Sequence, residues 1–249
     1  LSLCYSFDLL GEHFSAPHLR KVINRSMEQA PDTWPCWAFS NHDVARAASR
    51  LAPDGVPTEN IARLTLSLLM SLRGTPCIYQ GEELGLGEVE IPFEKLQAPY
   101  GIEFWPEFVG RDGCRTPMPW DHSAPASGFT AAAEPWLPIP AEHRARAVNL
   151  QQEGCDSTLH YFQRLVAARR AEKCLSSGLF NMLQSPDVLA FERTFEGQTI
   201  QCHYNISPNP VLLEHPPLSE SRRFNVATGT WEETPERIVL GAWEWIWMR

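Results

Sequence analysis

The sequence predicts an α/β domain of parallel strands followed by an all-β antiparallel domain, and three observations support this fold class. Strand-like and helix-like segments alternate over residues 1–80, which is typical of parallel strands joined by right-handed crossovers. Polar residues follow directly on two of these strands, where parallel α/β sheets carry their active sites. After Lys173, short β-prone segments are separated by Gly, Pro and Asn, which indicates a small antiparallel sandwich.

The elements follow from hydrophobic periodicity and from breaker residues. The predicted order is a strand over 1–7, a helix over 17–30, a strand over 34–40, a helix over 58–72 and a strand over 75–80. A long loop rich in Pro, Gly and aromatic residues then covers 85–140, and a loop of this length suggests a functional role. An amphipathic helix over 156–170 ends the first domain. We therefore place the α/β domain at 1–172 and the β-sandwich domain at 173–249.

Composition and charge exclude several classes of protein. Hydrophobic residues make up 43% of the 249-residue chain, enough for a substantial core, and the 20% of charged residues argue against disorder. The formal net charge of −9 is expected to repel nucleic acids and anionic membranes, so neither is predicted as a partner. The longest apolar run is too short to span a bilayer. Seven cysteines without a CxxC pair indicate reduced thiols in a cytoplasmic protein.

The polar run Asn41-His42-Asp43 stands at the end of the second predicted strand and is followed by a helix-prone segment over 44–50. A carboxylate beside an imidazole can bind a metal, act as an acid–base pair, or hold hydroxyl groups while stabilising positive charge. No HxH or HExxH spacing supports a metal site, so no metal is predicted. A plain structural interpretation is that Asn41 or Asp43 caps the following helix.

Two further groups of residues can carry chemistry. Glu82 and Glu83 follow the third predicted strand, and retaining glycosidases use a pair of carboxylates for catalysis. The structural alternative for Glu82 is a buried acid bonded to the backbone or to an arginine. Arg111 and Arg115 lie in a Pro-punctuated segment, where their planar donors can bridge a carboxylate and sugar hydroxyls. Their structural alternative is ion pairing that ties the loop down.

Three segments of the chain resemble the α-amylase family of glycoside hydrolases. Phe39-Ser40-Asn41-His42-Asp43 resembles the last of its catalytic sequence blocks, and residues 74–83 resemble its eighth-strand block. Residues 111–120 are similar to the R-D-x-x-R-T-P-M-x-W segment of its exo-acting branch: the α-glucosidases, oligo-1,6-glucosidases and sucrose-cleaving relatives. The resemblance covers nearly the whole chain and weakens after residue 173. It implies a (β/α)8 TIM barrel followed by a C-terminal β-sandwich.

The resemblance also implies a role for each matching residue. Asp43 corresponds to the third catalytic acid, which stabilises the oxocarbenium-like transition state. His42 corresponds to the histidine that donates to the sugar hydroxyls held by that acid. Arg111 corresponds to the arginine that binds the terminal hydroxyl of the non-reducing glucose, and Arg115 is expected to line the aglycone side. Three residues are expected to give structural support, namely Asn41, Arg46 and Glu82. The expected partner is a small α-glucoside or oligosaccharide, and no cofactor is expected.

The chain departs from the family pattern at its N-terminal side. The G-x-R-x-D block with the nucleophile Asp and the later block with the general acid Glu are absent, so the chain begins at about the sixth barrel strand. We therefore expect part of a retaining exo-acting α-glucosidase that is inactive alone, with the N-terminal part of the barrel as a further partner. The alternatives are a transglucosylase or sucrose hydrolase, a non-catalytic sugar- or protein-binding relative, and an unrelated metal hydrolase. The sequence specifies neither linkage preference nor oligomeric state.

Overall fold

The computed structural model describes residues 3–29, 33–132, 134–213, 222–235 and 237–249. Leu1, Ser2 and Ala30, which belong to the first predicted strand and helix, lie outside the described residues. The chain forms two compact units, each assembled from separate stretches of sequence. The first unit comprises Leu1–Ala38, Arg63–Cys77 and Tyr161–Arg249, and the second comprises Phe39–Ala62 and Ile78–His160. The domain boundary near residue 173 stays a prediction.

The helices and strands of the described residues alternate in the first part of the chain, whereas strands predominate in the last part. The α-helices are α1 Ala16–Gln29, α2 Ala47–Arg50, α3 Thr58–Ser71, α4 Pro99–Glu103, α5 Ala141–Arg144, α6 Val148–Glu153, α7 Thr158–Ala171 and α8 Lys173–Ser177. The strands are β1 Leu3–Ser6, β2 Trp34–Trp37, β3 Thr75–Pro76, β4 Leu179–Met182, β5 Leu189–Phe195, β6 Gln198–Tyr204, β7 Val211–Leu212, β8 Arg222–Asn225, β9 Thr230–Glu233, β10 Val239–Leu240 and β11 Trp245–Met248.

The first three strands form a parallel sheet in the order β1-β2-β3, as the alternation of strands and helices predicts. The turn into β3 requires a glycine at position 74, where φ is +135° and a Cβ atom would lie 2.4 Å from the carbonyl oxygen of Pro35. Trp37 is fully buried beside this turn, and its indole donates to the carbonyl of Arg73 at 2.8 Å. The glycine therefore allows α3 to pass into β3 against the backbone of β2.

Two of the predicted strands are shorter than expected. The strand predicted over 75–80 ends at Pro76, and the strand predicted over 34–40 ends at Trp37. The parallel ladder pairs Cys36 with Thr75 and Trp37 with Pro76, and one further bond joins the Cys77 amide to the carbonyl of Trp37. Beyond that point the Tyr79 amide bonds to the Glu82 side chain instead of a neighbouring strand, so the ladder ends.

The helix predicted to follow Asp43 directly begins three residues later than expected, at Ala47. Arg46 has the extended dihedrals φ −57° and ψ 135°, and its amide donates to the Glu88 carboxylate at 2.8 Å. That long-range bond holds the residue out of helical geometry. The 85–140 loop also contains more structure than predicted, namely α4 and the short 3₁₀ helices Phe93–Lys95, Asp112–Arg115 and Pro125–Gly128.

The C-terminal strands are antiparallel, as predicted. Six of them form one sheet in the order β4-β5-β6-β11-β8-β9, and β10 pairs with β7. The all-β texture predicted from residue 173 is wrong for the first few residues, because α8 occupies Lys173–Ser177 before β4 begins. Leu175 and Cys174 of α8 are buried, so tertiary packing stabilises a helix that local propensity does not indicate.

Two buried arginines cap the carboxyl end of α3 in the first unit. Arg193 is fully buried and donates to the carbonyls of Ser71, Gly178 and Leu179 at 2.5, 2.9 and 3.2 Å. Arg169 donates to three more carbonyls, those of Met70, Leu72 and Gly74. Burial, and then the neighbouring Arg169, lowers the pKa of Arg193 to about 9. The helix carbonyls, which have no partners within the helix, thus obtain donors from the C-terminal part of the chain.

No helix in the described part of the chain combines the length and hydrophobicity needed to cross a bilayer.

Candidate functional site

The candidate site is built on the tight turn Asn41-His42-Asp43, which follows β2 by way of three buried residues. The Asp43 amide donates to the side-chain oxygen of Asn41 at 2.8 Å, which fixes the turn locally. The side chains of His42 and Asp43 are 67% and 41% exposed, so both present their polar atoms to solvent. The interpretation of Asn41 or Asp43 as the cap of the next helix is wrong, because the first amide of α2, that of Ala47, bonds to the hydroxyl of Ser40.

Two guanidinium groups meet the Asp43 carboxylate. Arg111 donates to its Oδ1 atom at 2.5 Å, and Nη2 of Arg115 lies 3.6 Å from the same atom. Nε2 of His42 lies 3.4 Å from it. Arg115 also donates through Nε to the main-chain carbonyl of His42 at 2.9 Å. The structure therefore brings together the four residues for which catalysis or substrate binding was predicted, although Arg111 is 68 positions from Asp43 in the chain.

The short 3₁₀ helix Asp112–Arg115 sets the spacing of the two arginines. Asp112 is buried, and its Oδ2 atom accepts from the amides of Gln97 and Ala98 at 2.6 and 2.8 Å. Gly113 packs so closely that a Cβ atom would lie 2.3 Å from both Glu88 and the Val89 backbone. These contacts hold the backbone between the two arginines in place.

A buried group of residues supports the exposed one. Arg46 is fully buried, donates to the carbonyl of Gln80 at 2.5 Å and lies over the ring of Tyr79 at 5.3 Å from its centroid. The Tyr79 hydroxyl donates to the carbonyl of Cys114 at 3.1 Å. Burial lowers the pKa of Arg46. Arg46 thus joins the segment after β3 to the segment that carries the Asp43 turn, which is consistent with the predicted supporting role.

Glu82 is the buried acid of this group. Its Oε2 atom accepts from the Tyr79 amide at 2.8 Å, and its carboxylate also accepts from the hydroxyl of Ser40. Burial raises the pKa of Glu82 from 4.5 to about 7, against the opposing effects of these two hydrogen bonds and of Arg46. The folded state therefore binds a proton that the unfolded chain releases, and stability from this group falls as the pH rises from 4.5 through about 7. The structure does not pair Glu82 with Asp43 as a second catalytic carboxylate.

Sequence reasoning missed His143, which lies beneath the arginine segment. It is buried, with Nδ1 at 3.3 Å from the Thr116 hydroxyl and Nε2 at 3.0 Å from the carbonyl of Gly87. Burial lowers the pKa of His143 to about 4, so the ring is neutral near pH 7. A single histidine in a short helix carries no sequence signal for such a bridge. Ser40, Tyr79 and Glu88 were missed for the same reason, because their partners are distant in the chain.

The arrangement suits the recognition of a polyhydroxylated ligand. A solvent-facing carboxylate flanked by an imidazole and two guanidiniums offers both acceptors and donors, and the guanidiniums retain N–H groups for further bonds. The same carboxylate can stabilise a developing positive charge. Within the ranges that the structure describes, no three His, Cys, Asp or Glu side chains form a group able to hold a metal ion.

Comparisons with known proteins place the chain in a family. The family model described as "Alpha amylase, catalytic domain" matches residues 6–178. A "Probable alpha-glucosidase" from Rhizobium meliloti (strain 1021) is 46% identical over 217 residues, which cover 86% of this chain and 39% of the relative. An oligo-1,6-glucosidase from Heyndrickxia coagulans is 29% identical over 252 residues, with coverage of 93% and 44%.

A solved structure agrees with these sequence matches. The crystal structure of an α-glucosyl transfer enzyme, XgtA, superposes with a TM-score of 0.87 at 41% identity, covering 98% of this chain and 45% of that one. The chain thus spans less than half the length of these relatives. The predicted fold class, part of an α/β barrel followed by an antiparallel β domain, is confirmed. The chain belongs to the α-amylase family of glycoside hydrolases, in its α-glucosidase and oligo-1,6-glucosidase branch.

Proposed function

We propose that this chain is the C-terminal part of a retaining exo-acting α-glucosidase, which hydrolyses non-reducing terminal α-glucosyl residues of short oligosaccharides. The observation that carries the proposal is the Asp43 carboxylate, held at the surface by Arg111 and Arg115 beside His42. The names of the relatives, α-glucosidase and oligo-1,6-glucosidase, support the same reaction. The proposed partner within the enzyme is the N-terminal part of the barrel.

Asp43 is proposed to act as the transition-state stabiliser. Its charge strengthens hydrogen bonds to ring hydroxyls as positive charge develops on the sugar, which favours the transition state over the ground state. His42 is proposed to donate to the same hydroxyls, since its ring is exposed beside Asp43. Asp43 can serve neither as nucleophile nor as general acid in this scheme, because those roles belong to two sequence blocks that the chain lacks.

Arg111 is proposed to grip the terminal hydroxyl of the non-reducing glucose. Its contact with Asp43 holds the guanidinium in place, and its remaining N–H groups can donate to a sugar hydroxyl. Arg115 was predicted to line the aglycone side. Its bond to the carbonyl of His42 adds a proposed positioning role, because that bond restrains the backbone of the catalytic turn.

A second candidate reaction is transfer of the glucosyl group to an acceptor other than water. The observation that favours it is the 41% identity to a solved enzyme described as an α-glucosyl transfer enzyme. Both reactions use the same stabilised oxocarbenium-like transition state, so they assign the same roles to Asp43 and Arg111. Product analysis with and without added acceptor sugar distinguishes them.

The site is proposed to work only in the completed enzyme (this chain joined to the barrel segment that carries the nucleophile and the general acid). Loss of such groups costs many orders of magnitude in kcat. A cytoplasmic location is also proposed, since all seven cysteines lie within the described residues and are free thiols.

Replacement of Arg111 by Ala in the completed enzyme is expected to lower kcat/KM for α-linked disaccharides by about 10- to 100-fold, the usual worth of a charged hydrogen bond. Longer oligosaccharides should lose less, because they have other contacts. Initial rates on a series of increasing chain length measure the effect.

The matched control is Arg144→Ala, which removes an exposed arginine of α5. Its rates should equal those of the wild type. An equal loss on every substrate in Arg111→Ala would indicate that Arg111 only ties down the loop, and would contradict the proposed grip on the terminal glucose.

A further inference from the structure

Glu82 and Ser40 form a buried connection to the catalytic turn. Ser40 is 1% exposed and immediately precedes Asn41, and Glu82 is 8% exposed. The Ser40 hydroxyl donates to the Glu82 carboxylate and, through its oxygen, accepts from the amide of Ala47 at 2.9 Å. Ser40, at the start of the segment 40–47, therefore bonds to the Glu82 carboxylate directly, and Ala47, at its end, is linked to that carboxylate through the Ser40 hydroxyl.

The charge of Arg46 favours an ionised Glu82 carboxylate, against the effect of burial. Arg46 is fully buried, and its Nε and Nη2 atoms have no hydrogen-bond partner among the described residues, so the charge on Glu82 offsets that of Arg46. Glu83 opposes this ionisation, and its own carboxylate accepts from the Gly81 amide instead of from Ser40. The titratable groups that face Arg46 from the other segments are those of Tyr79, Glu88, Cys114 and His143.

We infer that Glu82 is a positioning residue of the site, whose ionised carboxylate fixes Ser40 and thereby the placement of the Asn41-His42-Asp43 turn. The ionised form accepts from both the Tyr79 amide and the Ser40 hydroxyl. The Tyr79 amide can only donate, so the proton of the protonated form is accommodated by the Ser40 hydroxyl, which turns to accept it and reverses that bond. The effect of this connection on turnover rests on the proposed function, whereas its effect on the turn does not.

The connection can be tested without any activity by following backbone amide chemical shifts of the full chain from pH 5 to 9. The measurement uses a His42→Gln background, which removes the imidazole beside Asp43. The Tyr79 amide reports ionisation of Glu82, and the Asp43 amide reports its transmission to the turn. Both amides are expected to shift with one midpoint near pH 7. With Ser40→Ala, the Tyr79 step should remain and the Asp43 step should disappear.

Glu82→Gln should remove both steps, and the matched control Glu83→Gln should retain both. If the Asp43 step persists in Ser40→Ala or in Glu82→Gln, or never occurs in the wild type, the positioning role is overturned. Ser40→Ala keeps the test decisive even if Glu82→Gln does not fold, because it retains the carboxyl group and removes only the hydroxyl.

In the completed enzyme, Glu82→Gln is expected to lower kcat by about 10- to 100-fold, since small displacements of a catalytic group have effects of this order. KM should change little, and the component of the pH–rate profile with a midpoint near pH 7 should disappear. Glu83→Gln should keep both kcat and that component. If the completed wild-type enzyme has no glycosidase activity while the amide steps behave as expected, the proposed function fails and the positioning role stands.

Discussion

Replacement of Asp43 by Asn in the completed enzyme is expected to lower kcat by about a thousandfold while the fold remains intact. Asn has nearly the same shape and retains one acceptor oxygen, so Arg111 and Arg115 keep a partner. It lacks the negative charge that strengthens bonds to the sugar as the oxocarbenium-like transition state forms. Removal of a preorganised stabilising group typically lowers kcat by about 10²- to 10³-fold. Because Asp43→Asn removes a full negative charge, we expect a loss near the upper end of this range.

Steady-state rates and circular dichroism of Asp43→Asn provide the measurement. Asp54→Asn is the matched control, because Asp54 is an exposed carboxylate in the turn before α3. That control should have wild-type kcat. Near-normal turnover by Asp43→Asn would contradict the role assigned to Asp43, whereas loss of the folded spectrum would point to a structural role.

Replacement of Arg193 by Met is expected to lower the free energy of unfolding by about 3 kcal/mol. The change removes the side-chain donor from three carbonyls: those of Ser71 and Gly178, in buried hydrogen bonds, and that of Leu179, in a partly buried one. Each unsatisfied buried acceptor costs about 1–3 kcal/mol. The variant no longer buries the charge of Arg193, and the cost of burying it is what lowers the pKa of that residue. This gain offsets part of the free energy lost with the three hydrogen bonds.

Urea unfolding of the chain, followed by tryptophan fluorescence, measures this difference. Arg223→Met is the matched control, since Arg223 also lies on a strand but is 46% exposed and 4.0 Å from Glu232. Exposed ion pairs are worth about 0–1 kcal/mol, so the control should be nearly neutral. Equal stability of Arg193→Met and the wild type would show that the carbonyls find other donors.

Sequence reasoning was most informative where a local pattern defines a structure. The polar run after β2, the parallel order β1-β2-β3 and the antiparallel C-terminal strands follow from periodicity and breaker residues. The convergence of Arg111 on Asp43 does not follow from local patterns, and only the resemblance to a family indicated it. The structure supplies the distances, but the catalytic roles of these residues stay predictions.

The features that sequence reasoning missed depend on contacts between distant residues. Helix α8 forms because Cys174 and Leu175 are buried, although the surrounding sequence favours strands. The bond between Arg46 and Glu88 delays the start of α2. The bonds of Ser40 to Glu82 and of His143 to Thr116 join side chains that are common in any loop or short helix. None of these residues has a spacing or neighbourhood that marks its partner.

The proposed division of the catalytic set between this chain and an N-terminal segment is tested most directly by glucose release. The isolated chain and the completed enzyme are each incubated with maltose, isomaltose and sucrose, and free glucose is measured over time. We expect no release by the isolated chain and release of glucose from at least one of these sugars by the completed enzyme. Turnover by the isolated chain, or none by the completed enzyme, would contradict the account.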